Sequence, residues 1–407
     1  MMPLWIVIIL IGAAALLEIV CIVRALWYMK VTFPRKLRPH FLHKREQLRN
    51  PEPRVSLFVP CKGVSPDMKG NIHAMLQQDY PGYDMFCITE SEHDPAAPIL
   101  KDMASRNDRL HHVVAGRARR CCQKNHNLLK GIGYALKNGR AGDIYVFADM
   151  DIRPGKDWLS HITLPLADPS VFAVSGFRSL IPRNDRFSEH LHATFSALQA
   201  MAMTETTYAA MWGGSMALWR DAFDHYAVAE KWSTAMVDDM SLTWIIRRHH
   251  LKRVFSPDCL VHSQETYPEL NRVMDWLVRQ TQYAAIYLRP YTALGLAMNS
   301  VLALSMLMCP MVLGLVFLGE VSTRFGIYAV SIYLLTATAI CLLSTFAQQK
   351  GIRFRWFLYA PCLILLGTLC GWIGFFSKRL RWANIRYRFN ASGEVLTVEQ
   401  MALSEKE

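Results

Sequence analysis

The sequence predicts an α/β fold, namely a Rossmann-like, doubly wound and mostly parallel sheet joined to α-helical transmembrane segments. Short β-branched and aromatic runs alternate with helical patterns from residue 54 to about residue 290, which is typical of parallel sheets. Apolar stretches of membrane-spanning length lie on both sides of this region. The predicted strands also end in polar residues, so ligand-binding groups are expected along one edge of the sheet.

The composition indicates one chain with soluble and membrane parts. Its 407 residues are 52% hydrophobic and 19% charged, and the mean hydropathy is +0.13. The formal net charge of +12 suits an anionic membrane surface, an anionic substrate or nucleic acid. Because no zinc-ligand spacing, nucleic-acid motif or repeat accompanies the charge, we expect no nucleic-acid partner. The ten cysteines include no CxxC pair, which indicates reduced thiols on a cytoplasm-facing protein.

An apolar stretch over Leu4–Val23 predicts a transmembrane anchor within residues 1–30. The stretch is long enough to cross a bilayer and is interrupted only by Glu18. A cleaved signal peptide would need a basic stretch before the apolar run, and none is present. Basic residues instead follow the run: Arg24, Lys30, Arg35, Lys36 and Arg38. By the positive-inside rule that side is cytoplasmic, so the extreme N-terminus is expected outside.

Residues 54–290 are predicted to form a soluble domain, beginning with a strand at Arg54–Val59 that Pro60–Gly63 breaks. A helix over Pro66–Gln78 follows, because its apolar residues recur at helical spacing. The next strand, Met85–Thr89, runs into an acidic loop. The alternation then continues with strands at His111–Ala115 and Ile144–Ala148 and a helix over Asn125–Lys137. This order favours a parallel, doubly wound sheet.

Three charge-free blocks, at 293–318, 327–346 and 357–376, predict a C-terminal membrane region over 291–377. A basic, then acidic, tail over 378–407 follows it. Three crossings would place this tail outside, whereas its basic residues favour the inside. A re-entrant hairpin in the last block would remove the conflict; the residues that allow it are Pro361, Gly367, Gly371 and Gly374.

Two acids directly after the strand at Ile144–Ala148 are candidate metal ligands. Asp149 and Asp151 lie two residues apart, so on extended backbone their side chains point the same way. At the carboxyl end of a parallel strand they would face the crevice in which open α/β sheets bind ligands. Carboxylate oxygens there suit Mg²⁺ or Mn²⁺ shared with a diphosphate. A solvated turn carrying two acids is the alternative interpretation.

A second acidic pair, Asp238 and Asp239, begins an apolar helix that ends in Arg247 and Arg248. The helix dipole favours anions at this end. A general base is one interpretation of the pair, and an N-cap with a neighbouring acid is an equally good one.

Two further segments are candidate binding surfaces. The first is Trp212-Gly213-Gly214, where a flexible glycine pair beside a large aromatic ring suits a sugar-binding floor, although a buried turn fits as well. The second is an amphipathic stretch near 272–290 that carries polar and aromatic groups just before the membrane blocks: Arg279, Gln282 and Tyr283. This stretch is predicted to be an interfacial helix with these groups at the level of the lipid headgroups.

The chain resembles membrane-bound inverting glycosyltransferases with the GT-A fold, and more narrowly the ceramide glucosyltransferase family, glycosyltransferase family 21. Bacterial glycosyltransferases associated with hopanoid lipids share the resemblance. The matching segments occur in the family's order across about residues 54–393; they are VSLFVPCKGVSPDMKGNI, LQQDYPGYDMFCITESEHDPA, QKNHNLLKGI, FADMDIRP, WGGSMALWRDAF, VDDMSL, WLVRQTQY and RWANIRYRFNASG. So many ordered matches are far more specific than a lone DxD.

The resemblance implies roles for individual residues near the donor. Those implied to border or read the nucleotide are Pro60, Lys62, Glu90, Glu92 and Asp94, and those implied to lie near the donor are Lys124 and Asn127. It also implies that Asp149 contacts the donor sugar or the metal and that Asp151 contacts the metal.

For the acceptor, the resemblance implies that Asp239 is the general base and that Asp238 fills the preceding acidic position. The family's RxxRW motif reads here as Arg279-Gln-Thr-Gln282-Tyr283, so one positive charge is lost while hydrogen bonding and an aromatic face remain. The acceptor or diphosphate contact at this motif is therefore the part of the family pattern from which the chain departs.

These features together predict an inverting, metal-dependent transfer of a hexose from a UDP-sugar to a membrane lipid. The resemblance favours glucose and ceramide, hence glycolipid and sphingolipid metabolism. The expected location is a bilayer, with the catalytic domain on the cytoplasmic face, in a bacterial inner membrane rather than the Golgi or endoplasmic reticulum. The alternatives are a hopanoid or other lipid acceptor, a processive polysaccharide synthase and an inactive membrane module of the same fold.

Overall fold

The computed structural model describes residues 4–48, 52–204, 210–263, 266–346, 353–382 and 385–401. These residues fall into two compact units. The sheet unit comprises residues 31–178, 209–263 and 378–407, and the helical unit comprises residues 1–30, 179–208 and 264–377.

A seven-stranded, mostly parallel sheet forms the centre of the sheet unit, with strand order β3-β2-β1-β4-β6-β5-β7. The neighbours from β3 to β4 are parallel, and β6 runs antiparallel to both β4 and β5. The strands are β1 Val55–Pro60, β2 Tyr83–Thr89, β3 Leu110–Val114, β4 Ile144–Ala148, β5 Val171–Leu180, β6 Ser215–Trp219 and β7 Lys252–Ser263. The first four coincide closely with the predicted strands, so the predicted sheet is confirmed.

Aromatic side chains fill the core beside the central strands. All five residues of β4 are buried, as expected for a strand covered on both faces. The ring of Phe58 on β1 stacks on Phe86 at a centroid distance of 5.2 Å and on Phe147 at 5.7 Å. This packing holds β1, β2 and β4 together in the sheet.

Helices connect the strands and make up the helical unit. In chain order they are α1 Leu4–Trp27, α2 Arg38–Gln47, α3 Met68–Leu76, α4 Ala96–Ser105, α5 Gln123–Lys137, α6 Trp158–Thr163, α7 Phe187–Met203, α8 Arg220–His225, α9 Val228–Trp232, α10 Asp238–Arg248, α11 Leu270–Tyr287, α12 Arg289–Phe317, α13 Thr323–Phe346 and α14 Arg353–Phe376. A π-helical segment over Tyr28–Leu37 joins α1 to α2. The predicted helices at 66–78 and 125–137 correspond to α3 and α5.

The segment predicted only as a charged tail forms a second, antiparallel sheet. Its strands are β8 Arg379–Trp382, β9 Ile385–Phe389 and β10 Val395–Gln400, in the order β10-β9-β8. In β9 the apolar residues are buried and alternate with exposed Arg386 and Arg388. This alternation of period two is a strand signal that the charge of the segment conceals. The second sheet belongs to the sheet unit.

The helical unit contains α1, α7 and α11 to α14. Within the part of the chain that the structure describes, four helical stretches are long and apolar enough to cross a membrane: Ile11–Gln47, Arg289–Phe317, Thr323–Cys341 and Tyr359–Phe376. Helix α7 lies in this unit, although the sequence places its residues within the catalytic domain.

The last apolar block does not form the re-entrant hairpin that its sequence allows, because α14 is one helix that includes Pro361. Its glycines serve close helix packing instead. A Cβ atom added at Gly374 would lie 2.5 Å from the carbonyl oxygen of Val278 on α11, and one added at Gly367 would lie 2.5 Å from the ring of Phe195 on α7. Small residues that let helices approach in this way are common in membrane proteins.

Candidate active site

The polypeptide turns immediately after β4, and the two acids of the DxD motif lie at this turn with different partners. The N–H group of Ile152 donates to the carbonyl oxygen of Asp149 at 3.4 Å, so the backbone at Asp151 is not extended. Asp149 contacts Lys124, whereas Asp151 pairs with Arg178 at the end of β5. The prediction that both carboxylates project from one extended segment is therefore wrong.

Lys124 links the two acidic pairs. It lies in the first turn of α5, and its Nζ atom is 2.8 Å from Oδ1 of Asp149 and 3.1 Å from Oδ2 of Asp238. Burial lowers the pKa of the Lys124 ammonium, but the three carboxylates of Asp149, Asp238 and Asp239 outweigh burial and hold this pKa well above its ordinary value. A permanent positive charge therefore lies between the end of β4 and the start of α10.

The acids that begin α10 have different environments. Asp238 is completely buried and contacts the ammonium group of Lys124. Asp239 is half-buried and accepts hydrogen bonds from the N–H groups of Gly213 at 2.9 Å and Met240 at 2.6 Å. Val237, not an acid, occupies the N-cap position. The N-cap interpretation of the pair is therefore wrong.

The pKa of the Asp239 carboxyl group lies near neutral pH. Burial and the neighbouring Asp238 raise the pKa of its carboxyl group to about 7, although Lys124 and the two backbone donors act in the opposite direction. Catalytic bases work best when their pKa lies near the operating pH. At neutral pH this carboxylate can both accept and release a proton.

The turn at 212–214 needs its two glycines because charged and aromatic groups lie against them. A Cβ atom added at Gly213 would meet the carboxylate of Asp238 and lie 2.9 Å from Nζ of Lys124. One added at Gly214 would meet the indole of Trp212 and lie 2.7 Å from Oδ2 of Asp149. The turn is buried, as one interpretation expects, and it also forms one wall of the acidic cluster.

The half-buried Trp212 ring is held beside the second acid of the DxD motif. Its centroid is 5.1 Å from that of Phe177, and the guanidinium carbon of Arg178 lies 6.0 Å from it. Arg178 also pairs with Asp151. The aromatic face and the DxD motif are therefore connected through a single arginine.

Glu90 lies at the centre of a second polar group, beyond the end of β2. Its Oε2 atom is 3.0 Å from Nζ of Lys62, and its Oε1 atom is 3.6 Å from Nε of Arg117. The side-chain amide of Gln400, at the end of β10, donates to Oε1 at 3.0 Å. A carboxylate and basic groups thus lie together at the strand edge where the nucleotide is expected.

Other residues of the predicted donor loop have structural partners. Asp94 is buried and accepts hydrogen bonds from the N–H groups of Gly63 and Ala96, both at 2.9 Å, so it ties the loop after β1 to the start of α4. Glu92 is exposed and pairs with Lys101 at 3.3 Å.

Of the two remaining donor candidates of the sheet unit, one ends a strand and the other lies on a helix. Pro60 is the last residue of β1. Asn127 is buried on α5, where its amide donates to the carbonyl oxygen of Ile88 at 3.4 Å and accepts from Gln123 at 2.8 Å. Asn127 therefore fastens α5 to the end of β2.

Arg279, Gln282 and Tyr283 lie on α11 in the helical unit. Gln282 is buried there, and its backbone nitrogen is 3.3 Å from the position of a Cβ atom added at Gly374. The predicted acceptor or diphosphate contact of these residues stays a prediction.

Sequence reasoning missed Arg178 and Gln400. Arg178 is the only charged residue in the ten-residue strand β5, and a lone arginine in an otherwise buried strand is a signal for a paired, functional side chain. Gln400 has no comparable signal, because its position depends on the sheet that the C-terminal segment forms.

The two acids of the DxD motif fit a hard divalent cation. Oδ1 of Asp151 is buried and has no hydrogen-bond partner among the residues that the structure describes, so this oxygen is available to a ligand. No group of three or more potential metal-ligating side chains occurs within those residues. Mg²⁺ is commonly held by only one or two carboxylates together with substrate phosphates, so a two-acid site is sufficient.

The fold and the site define an α/β transferase with a charged crevice at the carboxyl ends of its parallel strands. The chain belongs to glycosyl transferase family 21, whose family model matches residues 16–395. It is therefore a glycosyltransferase, and the predicted GT-A fold class with added candidate membrane helices is confirmed.

Solved structures similar to the chain are more distant. One is a mannosyltransferase from Pyrobaculum calidifontis in complex with GDP-Man and Mn²⁺; it is 17% identical, with a TM-score of 0.42, and the match covers 87% of this chain and 99% of that one. Another is glucosyl-3-phosphoglycerate synthase from Mycobacterium tuberculosis in complex with Mn²⁺, UDP and phosphoglyceric acid. It is 14% identical, with a TM-score of 0.34, and the match covers 60% of this chain and 81% of that one.

Proposed function

We propose that the chain transfers a hexose from a UDP-sugar to a hydroxyl group of a membrane lipid, with inversion at the anomeric carbon. The observation that carries the proposal is the cluster in which Lys124 joins Asp149 to Asp238, beside an Asp239 carboxyl group whose pKa is about 7. The cluster supplies a base and a fixed positive charge in one crevice of a family 21 glycosyltransferase.

Asp239 is the base in this proposal. Its carboxylate accepts the proton of the lipid hydroxyl, whose oxygen forms a bond to the anomeric carbon from the face opposite the diphosphate. The bond from that carbon to the diphosphate oxygen breaks, and UDP leaves with the electron pair. One such displacement inverts the carbon. Retention by double displacement would require a second carboxylate as nucleophile, whereas Asp238 and Asp149 are both in contact with Lys124.

Lys124 neutralises negative charge in the crevice where an anionic donor would bind. It compensates the charges of Asp149 and Asp238, which would otherwise repel a diphosphate and each other. With Lys124 in place, Asp238 stays in the buried cluster and Gly213 stays aligned to donate to Asp239. The geometry of the base therefore depends on this lysine.

Asp149 and Asp151 are the residues that would hold Mg²⁺ or Mn²⁺. When bound there, the cation supplies charge neutralisation for the departing diphosphate. Arg178 adds a fixed positive charge beside Asp151 and orients its carboxylate. Lys62 and Glu90 are the proposed contacts to the nucleotide.

The lipid acceptor is supported by the candidate membrane helices of the same chain. Removing an acyl chain from a bilayer costs about 0.8 kcal/mol per methylene group, so an enzyme held at the membrane saves this cost for every acceptor. Ceramide and glucose are proposed because the chain resembles ceramide glucosyltransferases. The proposed location of the sheet unit is the cytoplasmic face, where the basic residues after α1 are favoured.

The test is product analysis with purified full-length protein. The protein is incubated with UDP-glucose, UDP-galactose or UDP-N-acetylglucosamine and with ceramide, a hopanoid or diacylglycerol, and lipids are analysed by mass spectrometry. We expect one hexosyl-lipid, released with one UDP per turnover and absent with Asp239→Asn. Magnetic resonance of that product should show a β linkage from the α-configured donor. A polymeric product, or no glycolipid from any combination, would refute the proposal.

A further inference from the structure

The C-terminal sheet of β8, β9 and β10 contacts the chain at the same places that form the candidate active site. The sequence matches of the family include part of this segment, yet no role follows from the match itself. Three separate contacts within the sheet unit indicate a role for the C-terminal sheet.

The first contact is with the segment that leads into α10. The N–H group of Val395 donates to the carbonyl oxygen of Thr234 at 2.8 Å, and the N–H group of Met236 donates to that of Gly393 at 3.0 Å. Residues 234–236 are followed directly by Val237 and the acidic pair. The C-terminal sheet thus fixes the backbone from which the proposed base projects.

The second contact is with the first turn of α5. Tyr387 of β9 is fully buried, and its hydroxyl oxygen accepts a hydrogen bond from the N–H group of Gln123 at 3.2 Å. The next residue, Lys124, bridges the two acidic pairs. The side chain of Gln123 in turn donates to the carbonyl oxygen of Gly116 at 2.8 Å, which holds the loop after β3.

The third contact is with the predicted nucleotide pocket. The amide nitrogen of Gln400 donates to Oε1 of Glu90 at 3.0 Å, while Oε2 of the same carboxylate pairs with Lys62 at 3.0 Å. Gln400 and Lys62 therefore hold opposite oxygens of one carboxylate. This pair of contacts fixes the orientation of Glu90 about its side-chain axis.

We propose that the C-terminal sheet completes the nucleotide-binding site and that Gln400 is a positioning residue for Glu90. This inference rests on the proposed role of the strand edge in donor binding. Gln400 acts through Glu90 and not on the reacting atoms, so its loss weakens nucleotide binding and leaves the rate at saturating donor unchanged.

The test measures UDP binding and transfer separately in the full-length protein. Gln400→Ala removes the amide donor at Oε1 of Glu90 and leaves only the more distant Arg117, at 3.6 Å, beside that oxygen. Because one hydrogen bond is lost, we expect about 3- to 10-fold weaker binding of UDP. The KM for the donor should rise by the same factor, with kcat and the acceptor KM unchanged. Gln400→Lys offers a new cationic donor and should restore binding, whereas Gln400→Glu places like charges together and should weaken binding further.

Glu399→Gln is the matched control. Glu399 is the adjacent exposed residue on β10, and consecutive strand residues face opposite sides. Its replacement should therefore leave UDP binding and the donor KM unchanged. Thermal unfolding of each variant reports whether the sheet stays folded. Unchanged UDP binding in Gln400→Ala, or equal losses in the alanine and lysine variants, would overturn the inference.

UDP binding also separates this inference from the proposed function. If the wild type binds UDP and Gln400→Ala does not differ from it, the positioning role is wrong while the donor assignment stands. If the wild type binds GDP instead of UDP, the proposed donor is wrong, and the same variants measured with GDP decide the role of Gln400. If the wild type binds neither nucleotide, both proposals are refuted.

Discussion

Replacing the proposed base gives the most direct test of the reaction. Asp239→Asn keeps the size of the side chain and removes its ability to take a proton. The oxygen of the new amide can accept from only one of the N–H groups of Gly213 and Met240, so the other N–H group loses its acceptor. We expect a modest cost in folding stability, about 1–3 kcal/mol for one unsatisfied buried group.

The expected loss of transfer is about 10²- to 10⁴-fold, which is the usual contribution of a general base and corresponds to about 2.7–5.4 kcal/mol of transition-state stabilisation. The raised pKa of Asp239 makes this loss depend on pH. With the pKa of Asp239 at about 7, only about a tenth of the wild-type enzyme carries the ionised base at pH 6, but about nine tenths do at pH 8. The ratio of wild-type to variant rates should therefore be roughly tenfold greater at pH 8 than at pH 6.

The same carboxyl group also affects stability. Because its pKa is higher in the folded chain than in an unfolded one, the folded state retains a proton that the unfolded state has lost. The contribution of this carboxyl group to the free energy of unfolding is fully present below about pH 4 and is lost as the pH rises through about 7. The asparagine variant lacks this pH dependence.

The assay is the initial rate of UDP release with saturating donor and lipid between pH 5.5 and 8.5, combined with direct measurement of UDP binding. UDP binding should be the same in the wild type and the variant. Asp221→Asn is the matched control, since Asp221 is almost fully exposed and its replacement should leave rate and pH profile unchanged. Turnover in Asp239→Asn within about threefold of wild type, or the same rise of rate with pH, would refute the assignment of the base.

Three other predictions concern the surroundings of the base. Lys124→Met leaves Asp149 and Asp238 without their shared cation. Breaking such a buried pair costs about 3–5 kcal/mol, so the melting temperature should fall. The pH midpoint of transfer should rise, because Lys124 lowers the pKa of Asp239. The exposed Lys137→Met on the same helix should do neither, and equal melting curves for both variants would contradict the role of the bridge. Gly214→Ala pushes a methyl group against the indole of Trp212 and should reduce the rate of transfer at least tenfold. Gly133→Ala is the matched control, because Gly133 on α5 has free space around it and its alanine variant should keep wild-type activity. EDTA should abolish transfer and added Mg²⁺ or Mn²⁺ should restore it; full activity in chelator would remove the cation from the mechanism.

The seven-stranded sheet could be predicted because strands that are buried on both faces appear in the sequence as continuous apolar runs. Runs such as Ile144–Ala148 contain only apolar and aromatic residues, and the polar residues that follow mark the strand ends. The C-terminal sheet was missed for the opposite reason. Exposed Arg386 and Arg388 dominate the composition of β9, so the alternation with buried residues was hidden by charge.

The site was predictable as a set of residues but not as a geometry. Both acidic pairs stand out in sequence, whereas the bridge from Lys124 depends on three segments that are far apart along the chain. The direction of Asp151 depends on a backbone turn that period-two reasoning does not foresee. The roles of the individual residues stay predictions until the variants are measured.

The return of residues 378–401 to the sheet unit constrains how the chain threads a bilayer. A chain that leaves a unit on one side of a membrane and comes back to it must make an even number of complete passages in between. Three candidate spans, α12, α13 and α14, lie in that interval, so the three are not all complete passages. The arginines of β8 and β9 then lie on the same face as the basic residues after α1, which is the arrangement that the positive-inside rule favours.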